Sequence, residues 1–203
     1  MTEIKDLNGI HVEGHIKIQD PSTGEVIVNQ RNAIHYENMS LALAESLANQ
    51  GQGFIYEMSF GNGGTSVDPT GIITYLTPNS TGTNASLYNQ TFTKVVDELS
   101  VNNVDPTRNK TEIRHVSGTN YTDILVRCLL DYGEPNGQDA FDTASDTDGI
   151  FVFDELGLRS YSAADTGRLI THVIFHPVQK SLNRLIQIDY TVRIQSLSGI
   201  NEG

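Results

Sequence analysis

At 203 residues the chain has room for one sizeable domain, or for two small ones sharing a surface. Its 25 acidic residues against 13 basic ones give a formal charge of −12, which repels a phosphate backbone, and no Lys/Arg cluster offsets it, so nucleic-acid binding is not expected. Trp is absent and Gly, Asn, Ser, Thr and Asp are abundant, a mix that suits many short strands joined by turns and argues against a helical bundle.

No run of about 18 apolar residues offers a membrane span. The opening Met1-Thr2-Glu3-Ile4-Lys5-Asp6 lacks the basic-then-apolar order of a signal peptide. Cys128 is the single cysteine, so no intrachain disulfide is possible; it lies in an apolar run, is expected to be buried, and fits synthesis in a reducing cytoplasm. Asn79-Ser80-Thr81 and Asn120-Tyr121-Thr122 match the glycosylation triplet but, without an export signal, read as polar loop or strand residues.

Along the chain, residues 10–18 alternate, with Ile10, Val12, Ile16 and Ile18 on one face and His11, Glu13, His15 and Lys17 on the other, which predicts a half-buried strand. Asp20-Pro21-Ser22-Thr23-Gly24 is turn chemistry and residues 25–29 supply a second strand, so the opening is a β-hairpin. Asn38 is positioned to cap a helix reaching about Asn49, with Met39, Leu43 and Leu47 every four residues, Ala44 and Ala48 widening the stripe, and Gly51 as the stop. A lone amphipathic helix needs a surface to pack on, here one end or face of a sheet. Residues 54–60 read as a strand running into Gly61-Asn62-Gly63-Gly64-Thr65, where glycines tolerate positive φ. A polar stretch, 65–85, holds Pro69 and Pro78 but is interrupted by Ile72, Ile73, Tyr75 and Leu76, and is the first candidate for an extended contact arm. Further strands are expected at 87–96, 111–116, 123–130, 149–153, 168–175 and 185–194. Without helices between them they point to a single antiparallel β-sandwich domain, jelly-roll-like, over residues 1–203, with a flexible tail at 196–203.

Chemistry-bearing residues are scattered. Asp139, Asp142, Asp146 and Asp148 in the acidic loop offer hard oxygen ligands of the kind calcium prefers, but their spacing does not match an EF-hand, and a solvated loop is the leading reading. His11 with His15, and His172 with His176, share strand faces. Four residues along a strand span roughly 13 Å, so neither pair chelates one ion alone. Asp154-Glu155 is a pair of acids, yet neighbours on a regular strand point to opposite faces and cannot flank one glycosidic bond. No nucleophile elbow is present, and the glycine-rich 61–65 segment lacks the Gly-Lys-Ser/Thr ending of a phosphate loop, leaving a tight turn as the better reading. No enzyme activity, cofactor or small-molecule substrate is expected.

Three passages occur together: Asn32-Ala33-Ile34-His35 before the helix; Phe60-Gly61-Asn62-Gly63-Gly64-Thr65 after a strand; and Phe153-Asp154-Glu155-Leu156-Gly157-Leu158 followed by Arg168-Leu169-Ile170-Thr171-His172. With Phe175-His176-Pro177-Val178-Gln179-Lys180 and a final strand, the chain resembles structural proteins of tailed-phage virions, closest to β-rich tail, baseplate and fibre-attachment proteins. The resemblance runs from about Gly9 to Ile194 and implies a non-enzymatic, oligomeric virion component, assembled in the host cytoplasm, whose partners are other virion proteins and copies of itself. The expected role is a tail-associated connector at the neck, baseplate or fibre attachment. A capsid decoration or cement protein is the alternative, and a carbohydrate-binding receptor module, using Tyr56, Tyr75, Tyr88 and Tyr121, is another. In Asp154-Glu155-Leu156-Gly157-Leu158 the leucines are expected in the core, Gly157 at a bend or close approach, and Glu155 paired with Arg159, Arg168 or Lys180. Ile72, Ile73, Tyr75, Leu76, Glu155 and Gly157 are the interface candidates.

Overall fold

The computed structural model describes residues 9–82, 85–135, 150–164 and 167–197. The opening hairpin forms as the alternation requires: β1 (Gly9–Gln19) pairs antiparallel with β2 (Val26–Ile34), and Val12, Ile16 and Ile18 are buried. Asp20 holds the turn by accepting from the N–H groups of Ser22 (2.8 Å) and Thr23 (3.4 Å), and Arg184 donates to its other oxygen at 3.0 Å. That guanidinium bond keeps the Asp20 carboxyl below its usual range against the cost of burial.

Helix α1 (Tyr36–Leu47) starts before Asn38, because His35 is the cap: its Nδ1 accepts the Asn38 N–H at 3.2 Å and its own N–H donates to Ile170 O at 3.0 Å. Asn38 is instead an internal, buried residue whose Nδ2 donates to Leu169 O at 2.8 Å. The buried stripe is therefore Asn38, Met39 and Ala42 with Leu43 beside it, and Leu47 is 85% exposed. Repetition every four residues identified the helix but not its rotation, which the tertiary bonds of His35 and Asn38 decide.

The remaining strands are β3 (Ile55–Gly61), β4 (Thr65–Val67), β5 (Ile73–Tyr75), β6 (Gln90–Val95), β7 (Lys110–His115), β8 (Tyr121–Leu130), β9 (Ile150–Ser160), β10 (Thr171–Ser181) and β11 (Ile186–Leu197). Strands β4 and β5 pair only with each other; the other nine form one antiparallel sheet in the order β6-β3-β9-β10-β2-β1-β11-β8-β7. The fold is thus mainly β with one short helix, a sandwich of half-barrel form in which a single curled sheet supplies both layers. Its concave face gathers Ile16, Phe60, Phe153, Leu156, Val126, Cys128, Ile188 and Tyr190 into one core. The two ends of the sheet approach closely: Lys94 on β6 donates to Leu129 O on β8 at 2.7 Å and contacts Glu134. Cys128 is fully buried, and burial pushes its thiol up to about 12, which leaves it inert as a nucleophile at neutral pH.

Strand β9 runs to Ser160, beyond its expected end, so the Asp154–Leu158 motif sits in mid-strand with both faces covered. Opposite it, β10 contains fully buried Lys180, whose Nζ donates to the carbonyls of Glu134 (2.8 Å), Asp131 (2.9 Å) and Ser181 (3.0 Å). Three donors meet three acceptors, so the ammonium is satisfied although burial brings its pKa down to about 8. Replacing it with methionine leaves those carbonyls without their donor. Lys180→Met is expected to lose about 3 kcal/mol of stability, read from the urea midpoint at unchanged m-value.

Candidate functional site

Glu155 lies directly across from Gly61 in the β3–β9 ladder, where side chains of opposed residues share a face. A Cβ on Gly61 would stand 2.5 Å from Glu155 Oε1 and from Asn89 O, so only glycine lets the carboxylate lie over the strand. Gly63 is constrained in the same way, since a Cβ there would come within 2.7 Å of Asn89 N, and Gly64 less tightly, with a Cβ 3.0 Å from the Ile174 side chain. These glycines serve close approach, and none of the three adopts the positive φ that their clustering suggested.

The space they leave is filled by carboxylates. Asp154 accepts the N–H groups of Gly64 (2.9 Å) and Thr65 (2.8 Å) and the Thr65 hydroxyl. Glu155 accepts the N–H groups of Asn89 (2.8 Å), Tyr88 (2.9 Å) and Gly63 (3.1 Å), and His172 Nε2 at 3.0 Å. The glycine-rich loop does cradle an anion with backbone N–H groups, and the anion is the protein's own acidic pair. Two adjacent residues reach one loop, and beside them the β9–β10 register shifts between Ile174 and Val178, so that β10 bulges opposite Asp154. Burial raises Asp154, and the Thr65 and Gly64 bonds only partly offset this. Burial would also raise Glu155, but the His172 bond and the backbone donors of Asn89, Tyr88 and Gly63 outweigh it and hold its pKa below the ordinary value.

His172 carries this anchoring outward. The Asn79 N–H donates to its Nδ1 at 2.7 Å, so Nδ1 is the acceptor and the proton sits on Nε2, where it donates to Glu155. Asn79 Nδ2 donates to Ser86 O, Tyr88 donates its hydroxyl to Thr77 O, and Tyr75 bonds His176 Nδ1 at 3.2 Å. The stretch expected to be an arm is thereby fastened to the domain. Its first part folds into the β4–β5 hairpin, closed by the Leu76 N–H donating to Gly64 O, and tipped by Asp68, which accepts from the N–H groups of Thr70 and Ile72. Among polar residues such as Ser66, Asp68, Thr70 and Thr74, the hairpin leaves apolar side chains outside: Val67, Ile72, Tyr75 and Leu76 are all exposed and Ile73 is half-buried.

Of the interface candidates, Ile72, Ile73, Tyr75 and Leu76 come together on this hairpin and the turn beside it. Glu155 and Gly157 do not face outward: Glu155 is buried in the anchor, and a Cβ on Gly157 would overlap Thr171 O and the Leu169 side chain. The basic residues proposed for Glu155 are engaged elsewhere, Arg159 with Ser59 and Gln90, Arg168 with Glu45, and Lys180 with its three carbonyls, so His172 is the partner. Asp139, Asp142, Asp146 and Asp148 lie outside the described residues, as do residues 198–203 of the tail. Among the described residues no three His, Cys, Asp or Glu side chains gather as a metal site, and no helix is long and apolar enough to cross a membrane. Sequence reasoning missed Asn79, Tyr88 and Asn89, which act mostly through backbone N–H groups that every residue type carries. No family model, curated protein or solved structure matches the chain.

Two consequences are measurable. Gly61→Ala forces a Cβ into the carboxylate and is expected to lower stability by about 2 kcal/mol in urea unfolding, with the same product of folding by circular dichroism. Glu155 has a folded pKa below the ordinary 4.5, so the stability it adds is fully present above that value and is lost as pH falls through the lower folded one. Glu155→Gln should therefore be less stable than the parent by about 3 kcal/mol at neutral pH, and the gap should narrow in acid below the ordinary glutamate value. A gap independent of pH would show that the Glu155 charge contributes nothing.

Proposed function

We propose that this chain is a non-enzymatic structural component of a tailed-phage virion, a tail-associated connector at the neck, baseplate or fibre attachment, and that the β4–β5 hairpin is a contact surface for a neighbouring virion protein. The observation that carries the reading is an exposed hairpin bearing a group of apolar side chains and hydrogen-bonded to a buried base. Ile72, Tyr75 and Leu76 are held outward while Gly64, Asn79 and Tyr88 tie their segment to Asp154, Glu155 and His172. A preorganised apolar patch loses little conformational entropy on docking, which favours a permanent assembly contact. The acidic pair, the one grouping that suggested acid–base chemistry, is occupied in scaffolding, and this supports a role without catalysis. Two of the four tyrosines considered for sugar stacking are engaged within the domain: Tyr121 lies beneath the Arg193 guanidinium at 4.0 Å and Tyr56 packs edge-on against Tyr161. The motif resemblance supports reading such a surface as a repeated contact in a particle built from many copies.

Particles assembled with an Ile72→Asp/Tyr75→Asp variant test both halves of the reading. The purified variant should keep the parent's circular dichroism spectrum yet be depleted from purified particles by about tenfold or more. Normal incorporation would remove the hairpin from the contact. Immunogold labelling of parent particles confined to the tail supports the connector, even labelling of the head would make the chain a decoration protein, and absence from particles would overturn the virion assignment.

A further inference from the structure

The two edges of the sheet differ. Each pairs with one neighbour, but β6 is mostly half-buried and tethered across the curl by Lys94, whereas in β7 Glu112, Ile113, Arg114 and His115 are all exposed. An open edge of this length is a template for another strand. The direction of its free groups follows from one bond: the Thr111 N–H points away from β8, donating to Glu98 Oε2 at 3.0 Å. By the alternation of an antiparallel ladder, Lys110, Glu112 and Arg114 bond β8, while Thr111, Ile113 and His115 turn their N–H and C=O groups outward.

We infer that β7 pairs antiparallel with β7 of a second copy of this chain about a two-fold axis through Ile113, continuing the sheet from one subunit into the next. The side chains select this register. Lys110, Glu112 and Arg114 share one face and Thr111, Ile113 and His115 the other, so residues directly opposed across the axis must come from the same face. With Glu112 on the axis, Glu112 meets Glu112 and Lys110 meets Arg114, an arrangement of like charges only. With Thr111 on the axis, the central hydrogen bonds need a Thr111 N–H that Glu98 already holds. With Ile113 on the axis, each Glu112 faces the second copy's Arg114, the Ile113 N–H and C=O groups bond reciprocally, and the Ile113 side chains, 75% exposed in one subunit, meet each other. Glu112 and Arg114 now pair within the strand, Arg114 Nε to Glu112 Oε1 at 3.0 Å, and in the dimer the same charges alternate across the axis. On the concave side, Ile113 and Leu99, which is 89% exposed, border an apolar cavity of about 470 Å³ lined by Ile124, Ile170 and Ile194, so the second copy would shield its mouth. Glu98 is a competing cap: extending the ladder beyond Ile113 hands the Thr111 N–H to the second copy's His115 carbonyl.

The inference rests on β7 and not on the virion reading, and purified full-length chain in solution tests it separately. Sedimentation velocity from about 1 to about 200 μM should show a reversible monomer–dimer equilibrium. Glu112→Arg or Arg114→Glu alone sets like charges opposite each other and should raise Kd about tenfold or more, and the double exchange should return it to within about threefold of the parent. The double exchange restores opposite charges only in this register. Ile113→Pro removes an outward N–H that β8 does not use, so it should abolish dimers while sparing the β7–β8 ladder. A parent that stays monomeric throughout the range overturns the inference, as does a double exchange no tighter than the single variants, or a dimer that persists in a folded Ile113→Pro protein.

Discussion

Burying Asp154 and Glu155 side by side creates a demand that the surrounding chain must meet. A carboxylate taken from water without compensation costs several kcal/mol, and among the described residues no lysine or arginine bonds to either group. The compensation comes from backbone N–H groups, which requires segments distant in sequence to converge: the loop after β3, the turn before β6, and the start of β10 through His172. Glycine at 61, 63 and 64 is the steric condition for that convergence, since a Cβ at any of them would occupy the carboxylates' space or that of Asn89 and Ile174. A cation would satisfy the acids without fixing the loops, whereas directional backbone donors fix both.

That directional demand separates the rigid parts of the surface from the parts left to solvent. The hairpin is built from two strands of three residues, too few to persist alone, and it holds its shape because Gly64, Leu76, Asn79 and Tyr88 are tied to the anchor. Its apolar residues are therefore presented on a fixed base. At the far edge of the sheet, β7 is presented by a different route: the curl brings the β6 end close enough for Lys94 to reach β8, and β7 remains outside that closure with Glu112, Ile113, Arg114 and His115 exposed. The fold thus carries two chemically distinct surfaces, one a hairpin with exposed apolar side chains and one a strand edge with alternating charge.

Much of this was legible in the residues. Alternation in β1 and the Asp20–Gly24 turn specified the opening hairpin because a half-buried strand and a tight turn are local properties. The apolar interruptions at Ile72, Ile73, Tyr75 and Leu76 marked the segment that becomes the exposed hairpin. The adjacency of Asp154 and Glu155 was visible too, but strand alternation argued that they part. That both nonetheless meet the loop after β3 is a property of how that loop folds over β9. Helix α1 shows the same division, since Met39 and Leu43 announced a helix while its rotation was set by His35 and Asn38 bonding to Ile170 and Leu169, about 130 residues away along the chain.

The sequence by itself determined the class of fold, an antiparallel and mainly β chain with one helix, because period, turn chemistry and the low helical content act over a few residues at a time. It also determined that Cys128 is buried, since its apolar flanks belong to a core strand. Only the tertiary structure decided that the acidic pair is a scaffold, that His172 is its partner in place of Arg159, Arg168 or Lys180, and that β7 is the open edge. Those facts depend on which backbone N–H groups arrive from distant loops and on the order of strands in the sheet. Backbone donors are identical in every residue but proline, and strand order is set by the sum of many weak pairings, so neither leaves a mark in any short stretch of sequence.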